Sequence, residues 1–294
     1  MSGPSSGTAT AGRVRDIDVA TLRDTVARLL VEINYQIPAD VLEALREAVG
    51  REQSPLGRLT LQQLIRNYEV AASERLPVCQ DSGMTVVMLE VGQDVHWTGG
   101  LLHDAVYEGI REGTRAGYLR RSVTGDPTRL LKLAGDESPG IVHVELVGGA
   151  EVRVTIASKG FGAENMSALK MLVPADGVAG IRATVLDVVE AAGANACPPI
   201  IVGVGIGGTF EVAALLAKKA TLRPLDVRHP RSDLRALEAE LLDAVNALGI
   251  GPQGLGGTVT ALGVNIEVHP THIASLPVAV NLGCHSMRRT TVML

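Results

Sequence analysis

The sequence predicts an α+β fold in which an N-terminal helical region precedes a mixed α/β domain. Apolar residues recur at helical spacing through residues 16–75, whereas short β-branched runs bounded by glycine and proline begin after residue 76. The later elements lack the strict strand–helix alternation of a doubly wound sheet. We predict one domain over residues 16–294, made of a helical part (16–75) and a larger part (76–294).

The helical part is predicted to contain three helices. Apolar residues at helical spacing indicate a first helix through residues 19–30 and a third through residues 59–73. The second helix is predicted to follow Pro38, with Asp40 as a suitable residue for its N-terminus. Residues 1–15 are mostly small and polar, which predicts a disordered tail in front of these helices.

The larger part is predicted to mix strands with helices. Gly148 and Gly149 separate two apolar runs, residues 142–147 and 152–157, and this pattern predicts a β-hairpin. Further strands are predicted at residues 85–91, 200–204, 259–268 and 274–280, and further helices at residues 101–117, 181–192, 209–219 and 234–248.

Composition and charge exclude several classes of function. The formal net charge is −5, and lysine and arginine occur singly or in pairs, so no basic patch predicts binding to nucleic acid or to a membrane surface. No apolar run reaches the length of a transmembrane helix, and the N-terminus lacks the pattern of a secretory signal. We therefore expect a cytoplasmic protein with reduced cysteines.

The three cysteines lie far apart in the sequence, yet each occupies a short polar segment rich in glycine or proline. They are Cys79, Cys197 and Cys284. Such segments favour ligand-binding loops, whereas structural cysteines lie more often within apolar runs. The absence of a C-x-x-C pair argues against a zinc ribbon, a redox dithiol and a compact ferredoxin motif. Two interpretations remain, a shared metal or cluster site and three unrelated thiols in the core.

Three cysteines have a specific chemical consequence if they share a four-iron cluster. Each thiolate would bind one iron, and the fourth iron would have no protein ligand. An open iron is a Lewis acid that can bind a carboxylate and a hydroxyl group and polarise the C–O bond. Three ligands therefore indicate substrate binding, whereas four would indicate electron transfer.

Four short segments carry a resemblance to a known family. They are LPVCQDSG at residues 76–83, KGFGAENMS at 159–167, NACPP at 195–199, and HPTH at 269–272 leading to NLGCH at 281–285. In residues, order and spacing they resemble the iron–sulfur hydro-lyases that include class I fumarase and L-tartrate dehydratase. The resemblance extends from about residue 16 to the C-terminus and is to the α subunit of the two-subunit form.

This resemblance implies a [4Fe-4S] cluster held by Cys79, Cys197 and Cys284, with one iron free of protein ligands. It implies reversible hydration of fumarate to L-malate, a reaction of the tricarboxylic acid cycle, with L-tartrate and mesaconate as alternative substrates. It also implies a β subunit, arranged with this chain as a heterotetramer of two α and two β subunits. The β subunit is expected to supply further substrate-binding and acid–base groups.

The resemblance assigns catalytic roles to Asp81 and His272. A carboxylate next to the first cluster ligand can act as acid or base toward the substrate hydroxyl, a contribution of roughly 10²–10⁴-fold. Alternatively, Asp81 can cap a turn beside the following Ser-Gly pair, and a single histidine such as His272 is often structural.

The substrate-binding residues implied by the resemblance are Gln80, Arg120, Lys159, Gly160, Phe161 and Gly162. Arg121 is the alternative to Arg120, because either guanidinium can clamp a carboxylate through two parallel hydrogen bonds. Backbone amides of the glycine-broken loop can also hold a carboxylate, and a contact at Phe161 can involve the backbone alone. The alternative for Gly160 and Gly162 is a tight turn.

A second glycine-rich segment, residues 203–208, has the G-x-G-x-x-G form of a dinucleotide-binding turn. It lies between a predicted strand and a predicted helix, and Asp226 follows about 20 residues later. The second strand that should end in this acid is missing, because residues 221–225 contain a proline and little strand character. A close turn beside the site is favoured, and a dinucleotide-binding or non-catalytic assembly subunit stays as the alternative of another class.

Overall fold

The α+β class predicted from the sequence is confirmed by the computed structural model, which describes residues 14–128, 135–136 and 138–294. The sequence predicted a disordered tail over residues 1–15. Residues 1–13 of it lie outside the described residues, whereas Arg15 belongs to a strand. Among the described residues, no helix has the length and apolar character needed to cross a membrane.

The helices follow the predicted order. They are α1 (Val19–Tyr35), α2 (Ala39–Arg51), α3 (Pro55–Glu74), α4 (Leu102–Ala116), α5 (Phe161–Glu164), α6 (Gly177–Ala192), α7 (Phe210–Leu222) and α8 (Ser232–Asn246), with 3₁₀ turns at Pro174–Asp176, Gly193–Ala196 and Pro252–Gly254.

The strands include several that the sequence did not predict. They are β1 (Arg15–Asp18), β2 (Met84–Gly92), β3 (Val95–Thr98), β4 (Val123–Thr124), β5 (Gly135–Asp136), β6 (Ile141–Val147), β7 (Val152–Lys159), β8 (Ala168–Leu172), β9 (Ile200–Gly207), β10 (Ala261–His269), β11 (Leu276–Gly283) and β12 (Arg288–Met293). Of these, β1, β3, β4, β5, β8 and β12 are additions to the prediction.

Contacts along the chain divide it into two units. The first unit comprises the described residues of Met1–Val31, Thr85–Ile156 and Thr290–Leu294, and the second comprises Glu32–Met84 and Ala157–Arg289. The division runs through α1, whereas the sequence predicted a boundary at residue 75.

In the first unit, the predicted hairpin of β6 and β7 is wrong. The four-stranded sheet has the order β12-β7-β2-β6, so β2 lies between the two strands that were expected to pair. Strand β6 instead pairs in parallel with β2, beginning at Ile141 opposite Val86. The Gly148-Gly149 turn closes around the end of β2, where the Asp94 N–H donates to the Gly149 carbonyl at 2.9 Å.

Helices α1 and α4 approach each other closely in the first unit because α4 carries glycine at the contact. A Cβ on Gly109 would lie 2.5 Å from the Arg23 carbonyl oxygen, and one on Gly113 would lie 2.7 Å from the Ala27 carbonyl oxygen. Residues 16–18 were predicted to be helical, but they form β1, which pairs in parallel with β3. The charged sequence of β1 does not predict a strand, because the extended conformation depends on pairing with β3.

The second unit contains a mixed sheet with the order β10-β9-β11-β8. Strand β9 is buried along its whole length and pairs in parallel with β10 and antiparallel with β11. A core of branched aliphatic side chains from α6, α8 and these strands packs against it. The carboxyl end of β11 leads directly to Cys284, so the sheet positions one of the three cysteines.

The glycines that imitate a dinucleotide-binding turn serve packing in the second unit. A Cβ on Gly203 would lie 2.1 Å from Thr221 Oγ1, and one on Gly205 would lie 2.1 Å from the Ala213 carbonyl oxygen. Helix α7 therefore lies against β9 at a distance that only glycine permits. This packing accounts for both residues without a bound phosphate.

Glu52 joins the end of α2 to the segment that precedes β10. Its side chain is fully buried, and its carboxylate accepts hydrogen bonds from the backbone N–H groups of Ser54, Thr258 and Val259 at 2.8–3.0 Å. Burial acts to raise the pKa of Glu52, but the three N–H donors together lower it below its ordinary value of 4.5.

We predict that Glu52→Gln lowers the free energy of unfolding by about 1–3 kcal/mol at neutral pH, because an amide leaves some of these buried donors unsatisfied. Since the pKa is lowered in the folded state, the carboxylate stabilises above the pKa of the unfolded chain, and this contribution is lost as the pH falls through the folded value. Urea unfolding at pH 7 and below pH 4.5 measures both effects. Glu43→Gln, at an exposed position of α2, should have little effect, and an equal loss in both variants would contradict the prediction.

Candidate metal centre

The first cysteine lies in the loop between α3 and β2. Helix α3 ends at Arg75, which has a left-handed φ of 54°, and the chain then turns back toward α1. The Val78 N–H donates to the Asn34 carbonyl at 2.8 Å, and the Val78 carbonyl accepts from Asn67 Nδ2 at 3.0 Å. Cys79 follows this anchored residue, so its position is fixed by hydrogen bonds on both sides of Val78.

Asp81 joins the first cysteine loop to the loop that follows β7. Its Oδ1 accepts from the Gly83 N–H at 2.9 Å, and its Oδ2 accepts from the Phe161 N–H at 2.9 Å. The first bond is the turn-capping contact weighed from the sequence, and the second lies across 80 residues of chain. Gly83 has a φ of +69°, and a Cβ there would lie 2.4 Å from the Lys159 carbonyl oxygen, so the approach of the two loops requires glycine.

Cys197 follows the 3₁₀ turn Gly193–Ala196 in a strained conformation. Its φ is 54°, in the left-handed region that non-glycine residues rarely adopt, at a typical cost of about 1–3 kcal/mol. The Cys197 N–H donates to the Ala194 carbonyl at 3.0 Å, and the Cys197 carbonyl accepts from the His285 N–H at 3.3 Å. The second and third cysteine segments are therefore in direct contact.

Cys284 follows β11, and its Sγ lies 3.2 Å from Ser286 Oγ. The loop after Lys159 reaches both this cysteine and Cys197. A Cβ on Gly160 would lie 3.9 Å from the Cys284 sulfur, and one on Gly162 would lie 3.9 Å from the Cys197 sulfur. Glycine at both positions leaves the space beside these two thiols free of side chains.

The three thiols interact electrostatically. Burial raises the pKa of the Cys197 thiol, and the negative charges of Cys284, Cys79 and Asp81 raise it further. A bound cation removes this repulsion and favours thiolates. The described residues contain no group of three His, Cys, Asp or Glu side chains close enough for a single metal ion. The three thiols thus lie close enough for their charges to interact.

Tyr68 and His285 form a buried hydrogen-bonded pair beside the thiols, between the phenol hydroxyl and Nδ1. Burial raises the pKa of Tyr68, and the charges of Cys284 and Cys79 add to this. Burial and the Arg288 guanidinium lower the pKa of His285 to about 4, so the imidazole is neutral at pH 7. Neither residue was predicted as a site residue.

Lys159 is buried, and its Nζ forms an ion pair with Glu164 Oε2 at 2.9 Å. Lys218 of α7 pairs with the same carboxylate. Burial acts to raise the pKa of Glu164, but the two lysines lower this pKa to about 2. Burial and Lys159 lower the pKa of Lys218 to about 8, against the opposing effect of Glu164. Asn281, three residues before Cys284, donates to Glu164 at 2.8 Å, so the network ties α7 and β11 to the glycine loop.

Three of the predicted substrate-site candidates lie on other segments. His272 lies in an exposed loop after β10, where Nδ1 accepts from the Ala274 N–H at 3.2 Å. Arg120 and Arg121 lie in the first unit, between α4 and β4. The structure does bring together Cys79, Gln80, Asp81, Lys159, Gly160, Phe161, Gly162, Cys197 and Cys284.

The residues that sequence reasoning missed are buried polar groups from distant elements. Asn34, Tyr68, Lys218 and Arg288 reach the site from α1, α3, α7 and β12. In the sequence they occupy amphipathic helices or a charged strand, where such residues usually face solvent. Only Asn281 and His285 carried a signal, since they flank Cys284 in one of the four matching segments.

Comparison with known proteins agrees with this geometry. The model of the family described as fumarate hydratase (Fumerase) matches residues 23–293. The chain belongs to the fumarate hydratase family. The family match identifies a hydro-lyase, an enzyme that adds or removes water, and confirms the resemblance inferred from the four segments.

Individual relatives of the fumarate hydratase family agree over nearly the whole chain. A Methanocaldococcus jannaschii protein, named provisionally as L(+)-tartrate dehydratase subunit alpha, is 41% identical over 272 residues, which cover 91% of this chain and 95% of the relative. The L(+)-tartrate dehydratase subunit alpha of Escherichia coli is 32% identical over 278 residues, covering 94% of this chain and 91% of the relative. The Shigella sonnei protein of the same name is 31% identical over 278 residues, with the same coverage.

We predict that Gly160→Ala leaves stability within about 0.5 kcal/mol of the parent, because the backbone at this position has an ordinary φ of −66°. The new methyl group would enter the space bounded by Asp81, Arg288 and Cys284, and we expect kcat/KM to fall about 10-fold to 100-fold. Thermal unfolding and steady-state kinetics measure the two effects. Gly50→Ala, where a Cβ meets nothing within 4 Å, is the control, and unchanged kinetics in Gly160→Ala would refute the assignment.

Proposed function

We propose that the chain is the α subunit of a [4Fe-4S]-dependent hydro-lyase acting on a four-carbon dicarboxylate, with the reversible hydration of fumarate to L-malate as its reaction. The observation that carries this proposal is the convergence of Cys79, Cys197 and Cys284 on one glycine-lined site. The fumarate hydratase family match supports the reaction class.

The chemistry of the donors fits a cluster with three protein ligands. Three thiols share one site, and their mutual repulsion is of the kind that bound iron relieves. The space beside Cys284 and Cys197 would be filled by a Cβ at Gly160 or Gly162. Cys79, Cys197 and Cys284 would hold the cluster, which when bound supplies a Lewis-acidic iron toward the substrate carboxylate and hydroxyl.

The chain's own residues orient the substrate and move protons. The Asp81 carboxylate is held by two backbone N–H groups and lies 3.4 Å from the position of a Cβ on Gly160, next to the substrate space. In the proposed mechanism Asp81, in its protonated form, gives its proton to the departing hydroxyl, and the resulting carboxylate takes up a proton from solvent before the next turnover. Gln80 and the backbone of residues 160–162 bind the dicarboxylate, and Lys159 holds that loop through Glu164. His272 and Arg120 are proposed to contact the substrate as well.

A β subunit is proposed to complete the active site. The relatives named above are called alpha subunits, which supports a partner chain, and the expected assembly is a heterotetramer of two α and two β subunits. The β subunit would supply the base that removes the proton next to the second carboxylate of L-malate. The reaction then breaks a C–H and a C–O bond and releases water, with no change in oxidation state overall.

L-tartrate is the second candidate substrate, and the names of the relatives favour it. L-tartrate differs from L-malate by one hydroxyl group. A site that hydrogen-bonds this hydroxyl would reject the substrate that lacks it, by roughly 10⁴–10⁵-fold in favourable cases. Mesaconate is a weaker alternative within the same class.

We predict that the parent chain, reconstituted anaerobically with iron and sulfide, develops a broad visible absorption and that Cys197→Ser loses most of it. A serine oxygen is a poorer ligand than thiolate for iron in a cluster. Iron and sulfide analysis measures the loaded fraction, and exposure to air should decrease it. Ser286→Ala, which keeps all three thiols, serves as the control. Full iron content in each of the three single Cys→Ser variants would refute the shared site.

We predict that turnover requires the β subunit and that kcat/KM for L-malate dehydration exceeds that for L-tartrate. Fumarate and oxaloacetate formation measured with the α chain alone, with the β chain alone and with both distinguishes the possibilities. A higher kcat/KM for L-tartrate would replace the fumarase proposal with its alternative. Turnover by the α chain alone would contradict the need for a partner, and inactivity of the cluster-loaded complex toward both acids would favour a non-catalytic role.

A further inference from the structure

Arg288, at the start of β12, is the largest fully buried side chain among the described residues, with 1% of its surface exposed. Its Nη1 donates to Asn34 Oδ1 at 3.0 Å and to the Asp81 carbonyl oxygen at 2.7 Å. Both acceptors are neutral groups. Within the part of the chain that the structure describes, Arg288 makes no ion pair, and its buried Nε has no hydrogen-bond partner.

The absence of an ion pair distinguishes Arg288 from two other arginines with little exposed surface. Arg289, the next residue, forms an ion pair with Asp40, and Arg223 forms ion pairs with Glu238 and Glu267. The Asp81 carboxylate borders the same space beside Gly160 as Arg288 Nη2, but it forms no ion pair with Arg288. A buried guanidinium without an ion pair is costly, because more distant negative charge repays only part of the lost hydration. The fold therefore holds Arg288 in a position that a bound anion would stabilise.

The Nη2 group of the guanidinium lies beside the cysteine site. A Cβ on Gly160 would lie 3.5 Å from Arg288 Nη2 and 3.9 Å from the Cys284 sulfur. Because Gly160 has no side chain, the guanidinium and the thiol border the same open space. The charge of Arg288 also reaches the buried pair beside the thiols, since it opposes the rise in the pKa of Tyr68 and adds to the lowering of the pKa of His285 by burial.

We propose that Arg288 is the internal counter-cation of the thiolate-bound cluster and that guanidinium N–H groups other than those of Nη1 donate toward cluster or cysteine sulfur. This inference rests on the proposed [4Fe-4S] site. A cluster held by three thiolates is a net anion, and its reduction potential depends on nearby charge and on hydrogen bonds to sulfur. Arg288 is thus a positioning and electrostatic residue rather than a catalytic one.

The burial of Arg288 favours a resident anion over a substrate carboxylate. A carboxylate that binds and leaves at each turnover needs an accessible partner, whereas only 1% of Arg288 is exposed. Arg288 also donates to the Asp81 carbonyl within the first cysteine segment and lies four residues after Cys284 in the chain. Both connections place the Arg288 guanidinium next to the segments that hold the proposed cluster ligands Cys79 and Cys284.

The experiment compares reduction potentials of the reconstituted full-length chain. Anaerobic redox titration, followed by electron paramagnetic resonance and visible absorption, is applied to the parent, Arg288→Gln, Arg288→Met and Arg288→Lys. We expect a shift to more negative potential in both neutral variants, because the reduced cluster loses a compensating cation. We expect Arg288→Lys to stay closer to the parent. Arg289→Gln, which removes the neighbouring buried ion pair, controls for loss of stability and should leave the potential unchanged.

Cluster retention and reduction potential in the variants either support or refute the counter-cation role of Arg288. If both neutral variants fail to retain a cluster while Arg288→Lys and Arg289→Gln retain it, a positive charge is required and the proposal is supported. If Arg288→Lys also fails while Arg289→Gln succeeds, the hydrogen bonds to Asn34 and Asp81 are what matters, and the counter-cation role is refuted. Parent-like potentials in the neutral variants refute it as well.

The same experiment separates this inference from the proposed function. A parent chain that binds no cluster refutes the iron–sulfur proposal before any Arg288 variant is compared. A loaded parent with unshifted neutral variants refutes only the role of Arg288. If L-malate KM rises in Arg288→Gln with the potential unchanged, the anion is the substrate carboxylate and the counter-cation role is wrong.

Discussion

The site depends on one hydrogen bond across the fold, from the Phe161 N–H to the Asp81 carboxylate. It fastens the first cysteine loop to the loop after β7, at a point where Gly83 meets the Lys159 carbonyl so closely that no side chain fits. Because that second loop also lies beside the other two thiols, its position determines the space available at all three cysteines. The exposed Phe161 ring is incidental, since the residue contributes through its backbone.

Positively charged side chains with little exposed surface lie close to this junction. Lys159 and Lys218 share the single carboxylate of Glu164, which leaves the network with excess positive charge close to the glycine loop. Arg288 adds a second buried cation whose hydrogen-bond acceptors are neutral. In a chain of net charge −5, such local excess is an arrangement for anions. Thiolates, the proposed cluster and the proposed dicarboxylate substrate are anions of the kind that this environment stabilises.

Strain and close packing are concentrated at the same place. Cys197 has a left-handed φ of 54°, and the surrounding hydrogen bonds to Ala194 and from His285 compensate for that cost. Elsewhere in the second unit, Gly203 and Gly205 let α7 lie directly on β9, which brings Lys218 to Glu164. The glycine pattern that resembles a nucleotide-binding turn therefore supports the candidate metal centre indirectly, through helix packing.

The sequence alone determined the α+β class, most helices, half of the described strands and the cysteine segments, because hydrophobic periodicity and the residues within one loop are local properties. The insertion of β2 between β6 and β7 was decided only by tertiary structure, since strand pairing depends on partners far along the chain. The same holds for β12, where burial of Arg288 and Arg289 depends on Asn34 and Asp40. Local sequence therefore identified the thiols, whereas their electrostatic surroundings came from residues that only the fold brings together.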